Sequence, residues 1–115
     1  MAQSVSLKIR FHHGDTVAIG PGKADLLDAI LEHGSITAAG RAMGMSYKRA
    51  WDLVNTMNTS FNKTVVETSK GGPSGGGASL TPFGLVILKQ YRKIELKAQA
   101  AIDEDLATIF KLLND

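Results

Sequence analysis

Val5, Leu7, Ile9 and Phe11 alternate with Ser6, Lys8 and Arg10. This is the two-residue period of a strand with one buried face. His13-Gly14-Asp15 is a turn signal, and Thr16 to Ile19 can return as the second strand of a hairpin. Gly20-Pro21-Gly22 breaks the chain. From about Lys23 to His33, Leu26, Leu27, Ile30 and Leu31 recur at helical spacing, and Gly34 supplies a C-terminal cap. Asp25, Asp28 and Glu32 read as the solvated face of that helix.

From Gly34 to Asn58 the pattern changes to two short helices with a tight turn between them. Ser35 caps the first, which carries Ile36, Ala38, Ala39 and Met43. Its small residues, Ala38, Ala39, Gly40 and Ala42, allow a close crossing. Gly44 falls where a positive φ is wanted, Met45 turns inward, and Ser46 caps the second helix. At about 100° per residue, Tyr47, Ala50, Trp51, Val54, Met57 and Asn58 share one broad, mainly apolar side. On that reading Trp51 is a core residue whose removal costs about 3–5 kcal/mol. Lys48, Arg49, Asp52, Asn55 and Thr56 share the other side. Lys and Arg suit phosphates and guanine, Asn suits adenine, and Asp suits cytosine or orients a neighbouring cation.

Val65 to Thr68 reads as a short strand and Ser79 to Thr81 as its return. The stretch between them, SKGGPSGGGA, holds no strong helix or strand former. A nucleotide-binding loop would need a Lys-Ser/Thr ending and a helix directly after it, and neither is present. A hairpin with a bare glycine tip, which can bring backbone amides close to phosphates, is the preferred reading. Lys70, Gly71, Gly72, Ser74, Gly75, Gly76 and Gly77 would form that tip.

Thr81-Pro82 is a strong helix start. Pro82 to about Leu113 reads as one helix of roughly 45 Å at 1.5 Å per residue. Ile87, Tyr91, Ile94, Ala98, Ile102, Leu106, Ile109 and Leu113 form a stripe with steps mostly of four and three. The pattern is like a coiled-coil seam and too long for one small domain to cover. A second copy of the helix is the simplest cover. The alternative is a break near Ala100 that folds the helix back on its own domain.

A chain of 115 residues with 43% hydrophobic positions supports one core and one domain. The net charge of +2 and pI near 9.0 suit a nucleic-acid partner. With no cysteine there is no disulfide scaffold, thiolate metal site or cysteine nucleophile. His12 and His13 alternate to opposite strand faces, and His33 is remote in sequence, so no metal site is expected. No nucleophile–base set suggests an enzyme. Without a signal peptide or a bilayer-length apolar run, the expectation is a cytoplasmic protein with no membrane partner and no cofactor.

GSITAAGRAMGMSYKRAWDLVNTMN followed by VVETSKGGPSGGGASLTPFG resembles the N-terminal DNA-binding domain of the molybdate-responsive transcriptional regulators, the ModE family. The likeness runs from about Val5 to Tyr91. A looser likeness to the helix-turn-helix of LysR-type regulators covers Gly34 to about Val54. The resemblance implies a dimeric winged helix that binds operator DNA. It places Ser46, Tyr47, Lys48, Arg49, Asp52 and Asn55 on the recognition helix and Lys70 to Gly77 in the wing. Regulators of this family add oxyanion-binding domains. The 115 residues offer nothing to build them from, so a stand-alone DNA-binding protein is the expectation, no residue is assigned to molybdate and the effector is open.

The expected architecture is mainly α with small β hairpins, an α+β winged helix-turn-helix. It comprises an N-terminal hairpin (1–20), a helical core (23–61), a wing (65–81) and a long dimerisation helix (82–113). The expected partners are double-stranded DNA and a second copy of the chain. Two other readings are a protein-interaction module built on the long helix, and an oxyanion-responsive sensor that uses the wing as an anion nest.

Overall fold

The structure is a computed structural model that describes residues 3–70 and 76–114. Its elements, in order, are β1 (Phe11–His13), β2 (Thr16–Ile19), α1 (Pro21–His33), α2 (Ile36–Ala42), α3 (Tyr47–Ser60), β3 (Val66–Ser69), β4 (Gly77–Leu80) and α4 (Pro82–Leu112). The strands pair as two separate antiparallel hairpins, β1 with β2 and β3 with β4.

The expected punctuation is found at the helix ends. Gly34 and Gly44 adopt the left-handed conformation, with φ of 74° and 69°, which a side chain would disfavour. Ser35, Ser46 and Thr81 cap α2, α3 and α4 by accepting from the amides of Ala38, Arg49 and Gly84. The start of α1 differs from expectation. Pro21 belongs to the helix as its first residue, where the missing N–H costs nothing.

One core joins α1, α2, α3 and the wing hairpin. Leu26, Leu27 and Ile30 meet Ala39, Ala50, Val54 and Met57, with Val65, Val66, Leu80, Leu88 and Tyr91 closing the far side. The small residues of α2 do allow the close crossing. A Cβ built on Gly40 would lie 3.0 Å from that of Ala50, so the two helices nearly touch. Leu31, expected on the buried face of α1, is left exposed.

The N-terminal segment departs from its pattern. Only Phe11–His13 pairs as strand, with an irregularity between Phe11 and His12. β2 has four residues, so the ladder has no partner for Val5 to Ile9. The apolar side of the segment is uncovered, and Val5, Leu7 and Phe11 remain exposed.

α4 is a single unbroken helix of 31 residues, with no turn back near Ala100. It gives the chain its long dimension, 57 Å against 31 and 24 Å. Arg92 fastens it to α1 through Asp28 at 2.6 Å and Asp25 at 2.7 Å, and also bonds Glu95 at 2.9 Å. Partial burial works against this guanidinium's charge. The bonds from Asp28, Asp25 and Glu95 outweigh it and hold the group above its ordinary pKa. Asp25 and Asp28 are therefore a clamp as well as a solvated face.

Tyr91 corrects the expected seam. It is buried within its own protomer, its hydroxyl donates to the Ile9 carbonyl at 2.7 Å, and its ring meets Phe11 edge-on. It is not free to meet a partner helix. Beyond Tyr91 no described residue of α4 is buried.

Candidate nucleic-acid interface

α3 leaves the body with three distinct sides. Ala50, Val54 and Met57 point into the core. Opposite them Lys48, Asp52, Asn55, Thr56 and Thr59 face outward, and Lys48, Asp52 and Asn55 are exposed. Lys48 Nζ bonds Asp52 Oδ2 at 2.9 Å one turn along. Of the two roles considered for Asp52, orienting a neighbouring cation is therefore the one made in the free protein. The Thr56 and Thr59 hydroxyls are turned to backbone carbonyls, so Asn55 presents the free amide at the middle of this face.

The two flanks of α3 differ. On one side Tyr47 and Trp51 look toward the wing. With Ile36, Thr37, Thr68 and Lys70 they line an open cleft of about 460 Å³. On the other side Arg49 and Leu53 look toward β2 and the start of α1.

Trp51, expected in the core, is not there. It is 41% exposed, and Tyr47 is 58% exposed. The helical spacing is correct, but the buried arc is narrow because the close crossing at Gly40 brings in only Ala50. Trp51→Ala is therefore expected to cost roughly 1–2 kcal/mol of stability, below the loss of about 3–5 kcal/mol at a buried Trp. Urea unfolding measures it, and a loss above about 3 kcal/mol would return Trp51 to the core.

The wing is held in register by Val66↔Leu80 through Ser69↔Gly77. The Ala78 amide donates to the Gly34 carbonyl at 2.8 Å, which ties β4 to the cap of α1. Lys70, Gly76 and Gly77 are placed beside the cleft under Trp51. Gly71, Gly72, Ser74 and Gly75, also expected in the tip, lie outside the described residues.

The hydrophobic pattern carries no sign of the residue that joins the wing to α3. Asn58 accepts from the amides of Val65 and Val66 at 2.8 and 3.0 Å and donates to the Val66 carbonyl at 3.0 Å. Its side chain takes the place of a ladder partner at the start of β3. The only sequence signal is a polar residue on the otherwise apolar side of α3.

Among the described residues no group of three or more His, Cys, Asp or Glu is placed to hold a metal. No described helix is long and apolar enough to cross a membrane.

This arrangement of helices and hairpins is found in known proteins. The pattern of the family described as "Bacterial regulatory helix-turn-helix protein, lysR family" matches residues 23–85. The chain is 36% identical over 99 residues to the molybdenum-pterin-binding protein MopA of Rhodobacter capsulatus, covering 84% of this chain and 37% of MopA. It is 39% identical over 83 residues to the DNA-binding transcriptional dual regulator ModE of Escherichia coli K12, covering 72% of this chain and 32% of that protein. The chain thus spans about a third of the length of the curated relatives it matches. Its fold is similar to the crystal structure of the CbnR_DBD–DNA complex. The TM-score is 0.59 at 19% identity, over 76% of this chain and 95% of the other. The likeness to ModE-type regulators lies in the sequence, and the chain belongs to the bacterial regulatory helix-turn-helix proteins of the lysR family.

Proposed function

We propose that the chain binds double-stranded DNA sequence-specifically as a homodimer and regulates transcription in the cytoplasm, with α3 in the major groove and the wing against the adjoining backbone. The observation that carries this is the outward face of α3. Lys48, Asp52 and Asn55 stand clear of the body on a helix that is capped, closely crossed and fixed to its wing by Asn58. An α-helix fits the major groove, where Asn and Lys side chains distinguish bases. The likeness to a named DNA-binding regulator and to a fold solved on DNA supports the same reading. The role is binding and not catalysis. The names of the relatives suggest target genes concerned with molybdenum.

The second copy would be held by α4. Ile94, Ala98, Ile102, Leu106, Ile109 and Leu113 continue the stripe past the body, and Ile109 and Leu113 are openly exposed. Ile87 and Ile94 also line a wholly apolar groove with Phe11, Ile19 and Phe61 at the root of this helix. The seam would begin there and run outward.

Titration of duplex DNA over a salt series tests the reading. Affinity should fall steeply as salt rises, because each neutralised phosphate releases counterions. Lys70→Ala should weaken binding to all sequences and flatten the salt slope by about 0.9 if it holds one phosphate. Asn55→Ala should instead cost about 1–3 kcal/mol on the preferred sequence alone. Binding that ignores salt would favour a protein-interaction role for α4.

A further inference from the structure

We propose that the hollow between the N-terminal segment, the start of α1 and the free flank of α3 is a second phosphate-holding surface, which takes the DNA backbone on the side of α3 away from the wing. The inference rests on the reading that α3 enters the groove of a duplex.

The hollow has a volume of about 370 Å³. Lys8 and Arg10 enter it from the segment before β1, Lys23 from the first turn of α1 and Arg49 from α3. Among the described residues no carboxylate lines it. Among the described residues none of these four cations is ion-paired, whereas Lys48 and Arg92 both are. Like charges collected in a concavity repel one another until an anion enters. At Lys23, burial first and then the Arg49 charge push the ammonium below the ordinary lysine range.

The backbone adds to the field. The first turn of α1 opens onto the hollow with no side-chain cap at Gly20 and no acidic residue, leaving the positive end of the helix unanswered. The floor is shaped to hold Arg10. The stem of Arg10 lies over Gly20, with Cγ 3.2 Å from where a Cβ would stand.

A phosphodiester suits this hollow because of where it sits. An α-helix about 10–12 Å across fills a major groove about 12 Å wide, so the flanks of α3 face the two phosphate walls. Tyr47, Trp51 and the wing meet one wall. Arg49 and the hollow meet the other. Lys8 and Arg10, the polar positions of the strand alternation, thereby join the interface, and of the two partners suited to Arg49, phosphate and guanine, phosphate is the one assigned. Free inorganic phosphate has the same chemistry and is the competing occupant.

Gly22→Glu is the sharpest test. A Cβ at Gly22 meets nothing within 4 Å, and an acidic residue in the first turn favours the helix. The variant should therefore melt at or above the temperature of the unmutated chain. It should bind every duplex about tenfold or more weakly, because the new carboxylate answers the cations in place of a phosphate. The paired change Lys8→Ala with Arg10→Ala should flatten the salt slope by roughly one to two, at about 0.9 for each phosphate that is no longer neutralised. Unchanged duplex binding by both variants would overturn the proposal. A further arm melts the unmutated chain with inorganic phosphate. If phosphate raises its melting temperature but not that of Gly22→Glu, while duplex binding is equal in the two, the hollow holds a free anion and the proposal fails. If the unmutated chain binds no duplex at all, the function it rests on fails with it.

Discussion

Gly84→Ala should destabilise the chain by about 3 kcal/mol, although alanine is the better helix former. Gly84 lies in the first turn of α4, where a Cβ would run into the carbonyl oxygen of Val65. That backbone has no freedom to retreat. Thr81 donates its amide to the same carbonyl at 3.0 Å and its hydroxyl to the Thr64 carbonyl at 2.6 Å. Asn58 holds the Val65 amide from the other side. Replacing Gly by Ala inside a helix gains at most about 1 kcal/mol, whereas forcing atoms into a close-packed contact costs about 1–3 kcal/mol and occasionally more. The upper end applies because the obstacle is backbone. Against a total stability of about 5–15 kcal/mol for a domain of this kind, the loss is plain in urea unfolding. Gly22→Ala, in open space on α1, serves as the control and should be neutral or stabilising. If Gly84→Ala matches that control, α4 is not seated on residue 65 as described.

The same contact explains how the parts of the interface keep their spacing. Residues 64–66 are gripped by Asn58 from α3 and by Thr81 and Gly84 from α4, and they lead directly into β3. α3, the β3–β4 hairpin and α4, the proposed dimer helix, therefore meet at one short stretch of backbone. A shift there would move the outward face of α3 relative to a second copy, and binding two half-sites demands that this distance be kept.

What is legible in the sequence follows from the range of each interaction. Caps and turns are local, so Ser35, Gly44, Ser46 and Thr81-Pro82 mark their helix ends, and the Gly-rich stretch marks a hairpin. Helical spacing correctly puts Ala50, Val54 and Met57 inward. It overreaches at Tyr47 and Trp51, because the width of a buried arc is set by the neighbour that covers it, here the close α2 crossing at Gly40. Strand alternation from Val5 to Phe11 overreaches for a related reason. Two-residue periodicity says that one face is apolar, not that another layer of the same protomer covers it. Contacts distant in sequence are invisible to such patterns. Arg92 meets Asp25 and Asp28 more than sixty residues away, and Tyr91 meets Ile9 at a greater remove. Of the proposed interface, the outward face of α3 is readable. The hollow at Lys8, Arg10, Lys23 and Arg49 is not, because it is assembled from three separate segments.

Ile102→Asp should abolish the dimer and weaken binding to a two-half-site operator by at least about a hundredfold, the lower end of what linking two sites contributes. Ile102 lies about three turns beyond Tyr91, the last buried residue of α4. Nothing in the protomer core depends on it, so the fold from β1 to the first half of α4 should persist, with near-unchanged unfolding of that core. The energetic case for a partner is the stripe beyond Tyr91, half-buried from Ile94 to Leu106 and exposed at its end. Leaving each large apolar side chain in water forgoes about 1.5–3 kcal/mol, and the stripe runs from Ile94 to Ile109 and Leu113, exposed at 57% and 49%, with Leu112 beside it at 76%. A charge in the middle of that seam would be buried without a counter-ion, which costs far more than the methyl groups it replaces contributed. Sedimentation equilibrium of the unmutated chain and of Ile102→Asp decides the matter alongside duplex titration. If the unmutated chain is a monomer at concentrations where it binds DNA, α4 serves another partner, and the spacing of two recognition helices has to be set by something other than this seam.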